Sequence, residues 1–397
     1  MIASQSTEVR DILIEKMMKS FDFTNEGVVS EFLGIRIAFS INDFNRFITL
    51  DQEKMILDKV EEFNLADEKL SHVPMNPAAK LTTHDEPAPP GTPYREMVGS
   101  ALHIARWTRC DIANTVSQLS RYNSKPTRGA AIAAAQLWAY LRATARLKFT
   151  LSLSNVRKSN FQMTGYSDSD WAGDIDTRRS TTGWMVFIGI SLISWIAQLQ
   201  SFIAQSSMEA ETIAANKLLN ELLYLQGLFR EAGLLPESQS KTPVMIDNEA
   251  AIKSAYNPVG QGKTKHFDIQ EFHLRENTTT GRVIPTKIGT LYNPADLLTK
   301  ALYRPALEAH RKRAGIIELP PNAKRAKNDA DWKLATQSSD GVHSARSPSP
   351  HVSDKGALFT PPRVGGGFPG RPLGISRNLH LSEPLESPSS ASRPNAA

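Results

Sequence analysis

Four carboxylates stand along this chain in settings that suit metal-dependent phosphodiester chemistry. Asp168 lies in Gly165-Tyr166-Ser167-Asp168-Ser169-Asp170-Trp171-Ala172-Gly173, and Glu211 in Ser207-Met208-Glu209-Ala210-Glu211-Thr212. Asp247 follows Met245-Ile246, and Asp296 follows Asn293-Pro294-Ala295. The chain holds 41 acidic residues, so no one of the four is informative alone. Hydrolysis of a phosphodiester without a protein nucleophile needs an activated water and relief of charge on the leaving oxygen. Two Mg²⁺ ions roughly 4 Å apart supply both. Such ions prefer hard oxygen ligands and keep several waters, so a few carboxylates from separate elements suffice to hold them.

The elements must therefore deliver these side chains to one place. Asp168 closes an apolar stretch, 161–167, that reads as a strand, and Asp247 closes another, Val244 to Ile246. If the two strands are neighbours, both carboxylates emerge at one edge of a sheet. The helix read from Met208 to Ala232 offers Glu209 and Glu211, and two residues along a helix point about 200° apart. Its apolar face runs through Ala214, Leu218, Leu222, Leu225 and Phe229. Glu211 lies seven residues before Leu218, almost directly above it, and so faces the sheet. Glu209 faces away, and Ser206-Ser207-Met208-Glu209 fits a capping box. Asp170 is expected as a turn residue before Trp171-Ala172-Gly173. Asp296 opens a helix after Pro294, where capping is an equally good account. Among His266, Asp268 and His273, the run Asp268-Ile269-Gln270-Glu271 is again a capping box, so these residues are expected to be structural.

The wider chain divides by rhythm. Residues 7–23 and 52–63 read as amphipathic helices, and 31–41 with 46–50 as a hairpin turning at Asp43 to Asn45. Residues 74–93 are proline-rich and extended. Two helices, 94–121 and 127–144, flank Pro126, and a break near 154–160 ends this region. Strands at 161–167, 181–190 and 192–204 then form a meander, followed by the long helix and the strand at 244–246. A short helix at 249–256, a helix from about Ile269, a strand at 282–288 and a final helix from about Ala295 complete a mixed α/β layer pattern. Beyond Leu319 the chain turns to Pro, Ser and Gly, which cannot bury enough apolar surface to offset conformational entropy. Lys324-Arg325-Ala326-Lys327 reads as a solvated basic run.

At 397 residues there is room for two or three domains, and 40% hydrophobic content supports real cores. The one cysteine, Cys110, rules out an internal disulfide and fits a reducing, intracellular setting. No signal segment or run of eighteen apolar residues is present, so no membrane partner is expected. A net charge of +5 mildly favours an anionic partner.

Residues 161–303 closely resemble the ribonuclease H domain of copia-type retrotransposon polyproteins. The shared stretches are GYSDSDWAGDIDTRRSTTGW, ISWIAQLQ, SSMEAETIA, DNEAAI, NPV, TKHFDI, FHLRE and NPADLLTK. Residues 1–150 resemble the C-terminal part of the copia-type reverse transcriptase, through Phe32-Leu33-Gly34-Ile35, Pro93-Tyr94-Arg95, Val98-Gly99-Ser100-Ala101-Leu102, Thr108-Arg109-Cys110-Asp111-Ile112-Ala113 and Leu119-Ser120-Arg121. The resemblance implies a ribonuclease H-like α/β fold, a mixed five-stranded sheet with flanking helices spanning 161–314. A truncated α+β reverse-transcriptase remnant at 1–150 precedes it, and a disordered tail at 320–397 follows. It further implies an enzyme that cleaves the RNA strand of RNA–DNA hybrids with two Mg²⁺ ions, Mn²⁺ being an alternative. Asp168, Glu211, Asp247 and Asp296 would be both catalytic residues and metal ligands. Hybrid selection would rest on 2′-hydroxyl and phosphate contacts, with the polymerase portion of the polyprotein as a second partner.

Departures from the family carry expectations of their own. No adjacent Asp-Asp pair of the polymerase type occurs anywhere in the chain, so polymerase activity is not expected. Cys110 replaces the usual proline after Thr-Arg. Many ribonucleases H place a mobile histidine shortly before the last aspartate. None lies between Arg282 and Asp296, which implies slow turnover. The competing readings are a non-catalytic relic that binds nucleic acid or has no function, and an integrase. The integrase is disfavoured because Glu211 precedes Asp247 rather than following it. The first ninety residues are expected to expose apolar surface.

Overall fold

Two sheets organise the chain in a computed structural model, which describes residues 7–22, 24, 27, 29–41, 46–152, 162–235, 241–256, 265–319 and 324–325. All of these fall within one compact unit, Met1–Val342. The first part begins with helix α1 (Thr7–Ser20), strands β1 (Glu31–Phe32), β2 (Ile35–Ile41) and β3 (Arg46–Asp51), and helix α2 (Glu53–Glu62). Helices α3 (Tyr94–Trp107), α4 (Ala113–Ser120) and α5 (Arg128–Ala143) follow, and then β4 (Lys148–Ser152). The apolar face of α1 is exposed at Val9, Ile12, Leu13, Met18 and Phe21, as the composition of this segment leads one to expect. The expected turn at 43–45 and the break at 154–160 lie outside the described residues.

The second part carries β5 (Met163–Asp170), β6 (Thr181–Ile188), β7 (Ser191–Leu199) and the 25-residue helix α6 (Ser207–Glu231). It continues through β8 (Thr242–Ile246), α7 (Glu249–Tyr256), α8 (Lys265–Thr279) and β9 (Val283–Lys287) to α9 (Asp296–Thr299), α10 (Arg304–Arg313) and β10 (Ile316–Ile317). Its sheet has the order β7-β6-β5-β8-β9. The β5–β6 and β6–β7 pairs are antiparallel, and β5–β8 and β8–β9 are parallel. A meander extended on one side by two parallel strands, with helices on both faces, is the ribonuclease H-like fold. Each parallel step needs a crossover, which α6 supplies between β7 and β8 and α7 with α8 between β8 and β9.

The two parts share one core. Val98 and Ile104 of α3 and Leu137 and Trp138 of α5 belong to a single buried cluster with Met185, Phe187 and Leu192 of the second sheet and Leu297 and Leu298 of α9. Burial of each such large side chain stabilises by about 1.5–3 kcal/mol, so the shared surface is a major term for both parts. Polar ties reinforce it. Trp195 Nε1 donates to the Ala105 carbonyl at 3.0 Å, and Ser152 N donates to Ser191 Oγ at 2.9 Å. β10 pairs antiparallel with β4, so the end of the second part completes the sheet of the first.

Three expectations are corrected. The helix read over 94–121 is interrupted after Trp107. Thr108 turns to donate its hydroxyl to Gln52 Oε1 at 2.7 Å, and Arg109 is buried against Asp111 at 2.8 Å. Tyr140 Oη donates to the same Asp111 carboxylate at 2.6 Å. Seating that ion pair breaks the helical path, which resumes through a 3₁₀ turn at Cys110–Ile112. Second, the final helix is two, α9 and α10, because the chain leaves helical geometry at Lys300 (φ −140°, ψ 154°). Third, α8 already includes Lys265, so Asp268 lies inside the helix and cannot be its N-cap. In the segment expected as the tail, Lys324–Arg325 pairs with Ile41 and Ser40 of β2; residues 320–323 and 326–397 lie outside those described.

Unfolding in urea should follow one transition, with coincident midpoints by tryptophan fluorescence and far-UV circular dichroism. Two resolved transitions would show that the parts unfold separately. Arg109→Met leaves Asp111 buried without its counter-charge and should cost about 3–5 kcal/mol in the same measurement.

Candidate active site

Register brings the first two acids together. Gly165 and Tyr166 of β5 lie beside Val244 and Met245 of β8, and continuing that parallel register by two places sets Asp168 next to Asp247. β5 runs on to Asp170, past the end expected at Ser167, so Asp168 is held inside the strand rather than at its tip. Asp170, the last strand residue, folds its carboxylate against Gly173, where an added Cβ would come within 1.8 Å of it. That placement matches the turn role expected for it.

Glu211 arrives from the opposite layer. Ser206 caps α6 by accepting from Glu209 N at 3.2 Å, and Glu209 Oε2 accepts from Gln205 N at 2.8 Å. This is a capping arrangement, except that the glutamate reaches one residue further back than in the usual box. With Glu209 engaged outside, Ala214, Leu218 and Leu222 are buried on the inner face and Glu211 lies above them. The approach depends on Gly165, where a Cβ would meet Leu218 at 2.8 Å and Leu222 at 3.1 Å. Glu211 Oε1 accepts from Ser169 N at 3.1 Å and Ser169 Oγ at 3.0 Å. Its other oxygen, Oε2, is buried with no hydrogen-bond partner.

Asp168, Glu211 and Asp247 each offer an oxygen within 4.8 Å of the others. Asp296 is not one of that trio. It is the first residue of α9, the N-cap position being Ala295, and pairs at 3.2 Å with Lys300 Nζ. The same Lys300 nitrogen lies 3.7 Å from Asp168 Oδ2, and Thr299 Oγ1 donates to that oxygen. The close seat of α9 depends on Gly183 of β6, where a Cβ would meet Thr299 at 2.7 Å and Leu298 at 2.8 Å. Asn293 steadies the approach by donating to the Ser167 carbonyl at 2.8 Å. Thr290 Oγ1 donates to Asp247 Oδ2 at 3.1 Å.

Lys300, Thr299 and Thr290 were not among the residues expected at the site. Lys300 carries a usable signal, since it stands four residues after Asp296, a spacing that pairs charges on a helix. The histidines are elsewhere. His273 Nδ1 is 2.8 Å from Asn216 Oδ1, and the side chains of His266 and Asp268 lie outside the described residues.

Electrostatically, this is a crowded acid cluster opposed by Lys300. Burial raises the Asp168 carboxyl above its ordinary range, with Lys300 and the Thr299 hydrogen bond opposing. Burial raises Glu211 further, helped by the charges of Asp168 and Asp247. Asp296 is pushed up to about 7, first by burial and then by Asp168, against Lys300. Burial works against the Lys300 ammonium, but Asp168 and Asp296 outweigh it and hold its pKa above the ordinary lysine value. Hard oxygen donors, an unpartnered buried carboxylate oxygen and surplus negative charge are what a Mg²⁺ or Mn²⁺ site requires.

No protein-family model matches the chain. It is 32% identical over 307 residues to the "Retrovirus-related Pol polyprotein from transposon TNT 1-94" of Nicotiana tabacum, covering 76% of this chain and 22% of that protein. It is likewise 32% identical over 275 residues to the "Retrovirus-related Pol polyprotein from transposon RE2" of Arabidopsis thaliana, covering 69% and 18%. The chain thus spans about a fifth of the length of these relatives. Among solved structures it is similar to RNase H1 from Halobacterium salinarum NRC-1, with a TM-score of 0.26 and 15% identity, over 37% of this chain and 98% of that one.

The acid cluster also sets a pH dependence. A carboxylate whose folded pKa is raised favours folding below its unfolded pKa near 4, and that contribution is lost as pH rises through the folded value, about 7 for Asp296. Without divalent cations, Tm should therefore fall between pH 5 and 8. Glu211→Gln should flatten the fall, and Mg²⁺ should raise Tm more at pH 8 than at pH 5, by differential scanning fluorimetry.

Proposed function

This chain belongs to the Pol polyproteins of copia-type transposons, as a homologue of one segment of them, and from that premise we propose that residues 161–314 are a working ribonuclease H. Its substrate is the RNA strand of an RNA–DNA hybrid. The observation that carries the reading is the convergence of Asp168, Glu211 and Asp247 within 4.8 Å, from two parallel strands and the helix laid across them. Asp296 and Lys300 stand beside that trio.

In this reading Asp168, Glu211 and Asp247 would hold two Mg²⁺ ions, with Asp296 completing the set. When bound, the ions supply an activated water and neutralise charge on the leaving oxygen. The chain's own residues do the rest. Ser169 fixes one Glu211 oxygen and leaves the other facing the site. Thr290 orients Asp247, and Thr299 orients Asp168. Lys300 offsets the mutual repulsion of Asp168 and Asp296. Residues 1–150, read as the reverse-transcriptase remnant, serve here as the packing partner that holds α9 against the sheet.

The full chain should cleave the RNA strand of a hybrid with Mg²⁺ or Mn²⁺ and leave the DNA strand intact. Asp168→Asn and Asp247→Asn should each lower the rate on the order of 10²-fold or more, the several kcal/mol expected from losing metal-supported charge stabilisation. Cleavage unaffected by Asp247→Asn would sink the site assignment.

A further inference from the structure

Behind the acid cluster, on the face of the sheet away from α6, an open pocket of about 500 Å³ is lined by Tyr166, Phe187, Ile190, Tyr292, Pro294 and Arg313 among others. That volume lies in the range of small-molecule sites, which are mostly apolar with a few placed polar groups. Tyr166 stands two residues before Asp168 on β5, in an edge-to-face contact with Phe187 at 5.4 Å. Tyr292 is 63% exposed at the rim, with the Arg313 guanidinium 5.5 Å from its ring centroid. Arg313 also donates to the Tyr292 carbonyl and has no carboxylate partner among the described residues. Nor does the Tyr166 hydroxyl have a hydrogen-bond partner among them.

The occupant is constrained by these groups. Two tyrosine rings with accessible surface favour a flat ring system, as every nucleobase has a face that stacks on an aromatic side chain. An arginine beside them that lacks a carboxylate partner among the described residues favours an anion with oxygens to accept its remaining N–H groups, above all a phosphate. Aliphatic ligands would waste both the cation and the ring faces. We propose that this pocket binds one nucleotide, its base against Tyr166 and Tyr292 and its phosphate on Arg313. Its lining shares no residue with the acid cluster, and the turn Thr290–Tyr292 serves both, giving Thr290 to Asp247 and Tyr292 to the pocket.

Isothermal titration of the full chain with adenosine 5′-monophosphate, in the presence of a chelator, tests this independently of cleavage. Sub-millimolar binding is expected, with adenosine and inorganic phosphate each at least tenfold weaker. Arg313→Gln and Tyr292→Leu, both at exposed positions, should each weaken the mononucleotide at least tenfold, whereas Asp168→Asn should leave it unchanged. A 5′-phosphorylated trinucleotide distinguishes the source. Tighter binding than the mononucleotide means a strand end, and equal or weaker binding means a free nucleotide. No binding at millimolar concentration, or binding indifferent to Arg313→Gln and Tyr292→Leu, would overturn the proposal.

Discussion

Gathering like charges in a buried place is the constraint around which the rest of this molecule is built. Asp168, Glu211 and Asp296 are all buried, each is raised first by that burial, and each feels the charge of another acid. Side chains free to move would relax apart into water. They stay together because each is carried by an element whose position is decided by packing elsewhere: a strand paired on both sides, a helix of 25 residues and a short helix wedged against β6. Two glycines, Gly165 and Gly183, set the depth of that wedge on the two faces of the sheet. An added Cβ at Gly183 would meet Leu298 Cβ at 2.8 Å, and one at Gly165 the Leu218 and Leu222 methyl groups at 2.8 and 3.1 Å, so either would force its neighbours to shift.

The first part of the chain belongs to this device. α9 is only four residues long and could not hold Asp296 and Lys300 in place alone. Leu297 and Leu298 bury it in the core shared with α3 and α5, and Asn114 donates to the Leu298 carbonyl at 3.3 Å. The proline-rich segment is fastened in the same sense. Thr82 Oγ1 and Thr83 N both donate to Asp176, at 2.6 and 2.7 Å, and Arg121 pairs with Asp174 in the same β5–β6 loop. What read as two regions by rhythm is one packed body around one site.

Legibility in the sequence followed the range of the interaction. The choice of Glu211 over Glu209 was readable because helix phase is local, and Leu218 and Leu222 declare the buried face. The nearness of Asp168 and Asp247 was readable only as a condition, that their strands be neighbours, and the sheet order meets it. Lys300 was missed because its place follows from where α9 stops, which no period marks. The interruption at Thr108 and Arg109 was missed for a kindred reason. An arginine on an apolar helix looks like a surface residue until a partner such as Tyr140 is known to lie beneath it. Asp268 shows the opposite failure, a local pattern that fits a cap inside a helix that had already begun.

The pairing of β4 with β10 has a consequence for how the chain is made. Ile316 and Ile317 meet Phe149 and Lys148, so the edge of β4 gains this neighbour only after the whole second sheet has been made. Leu297, Leu298 and Leu307, which seal the common core, also emerge late. Until then the core of α2 to α5 lacks the cover that these residues supply, and long-range closure of this kind is slow and prone to association. β10 and the leucines of α9 and α10 thus act as a late latch on a core begun far earlier in the chain.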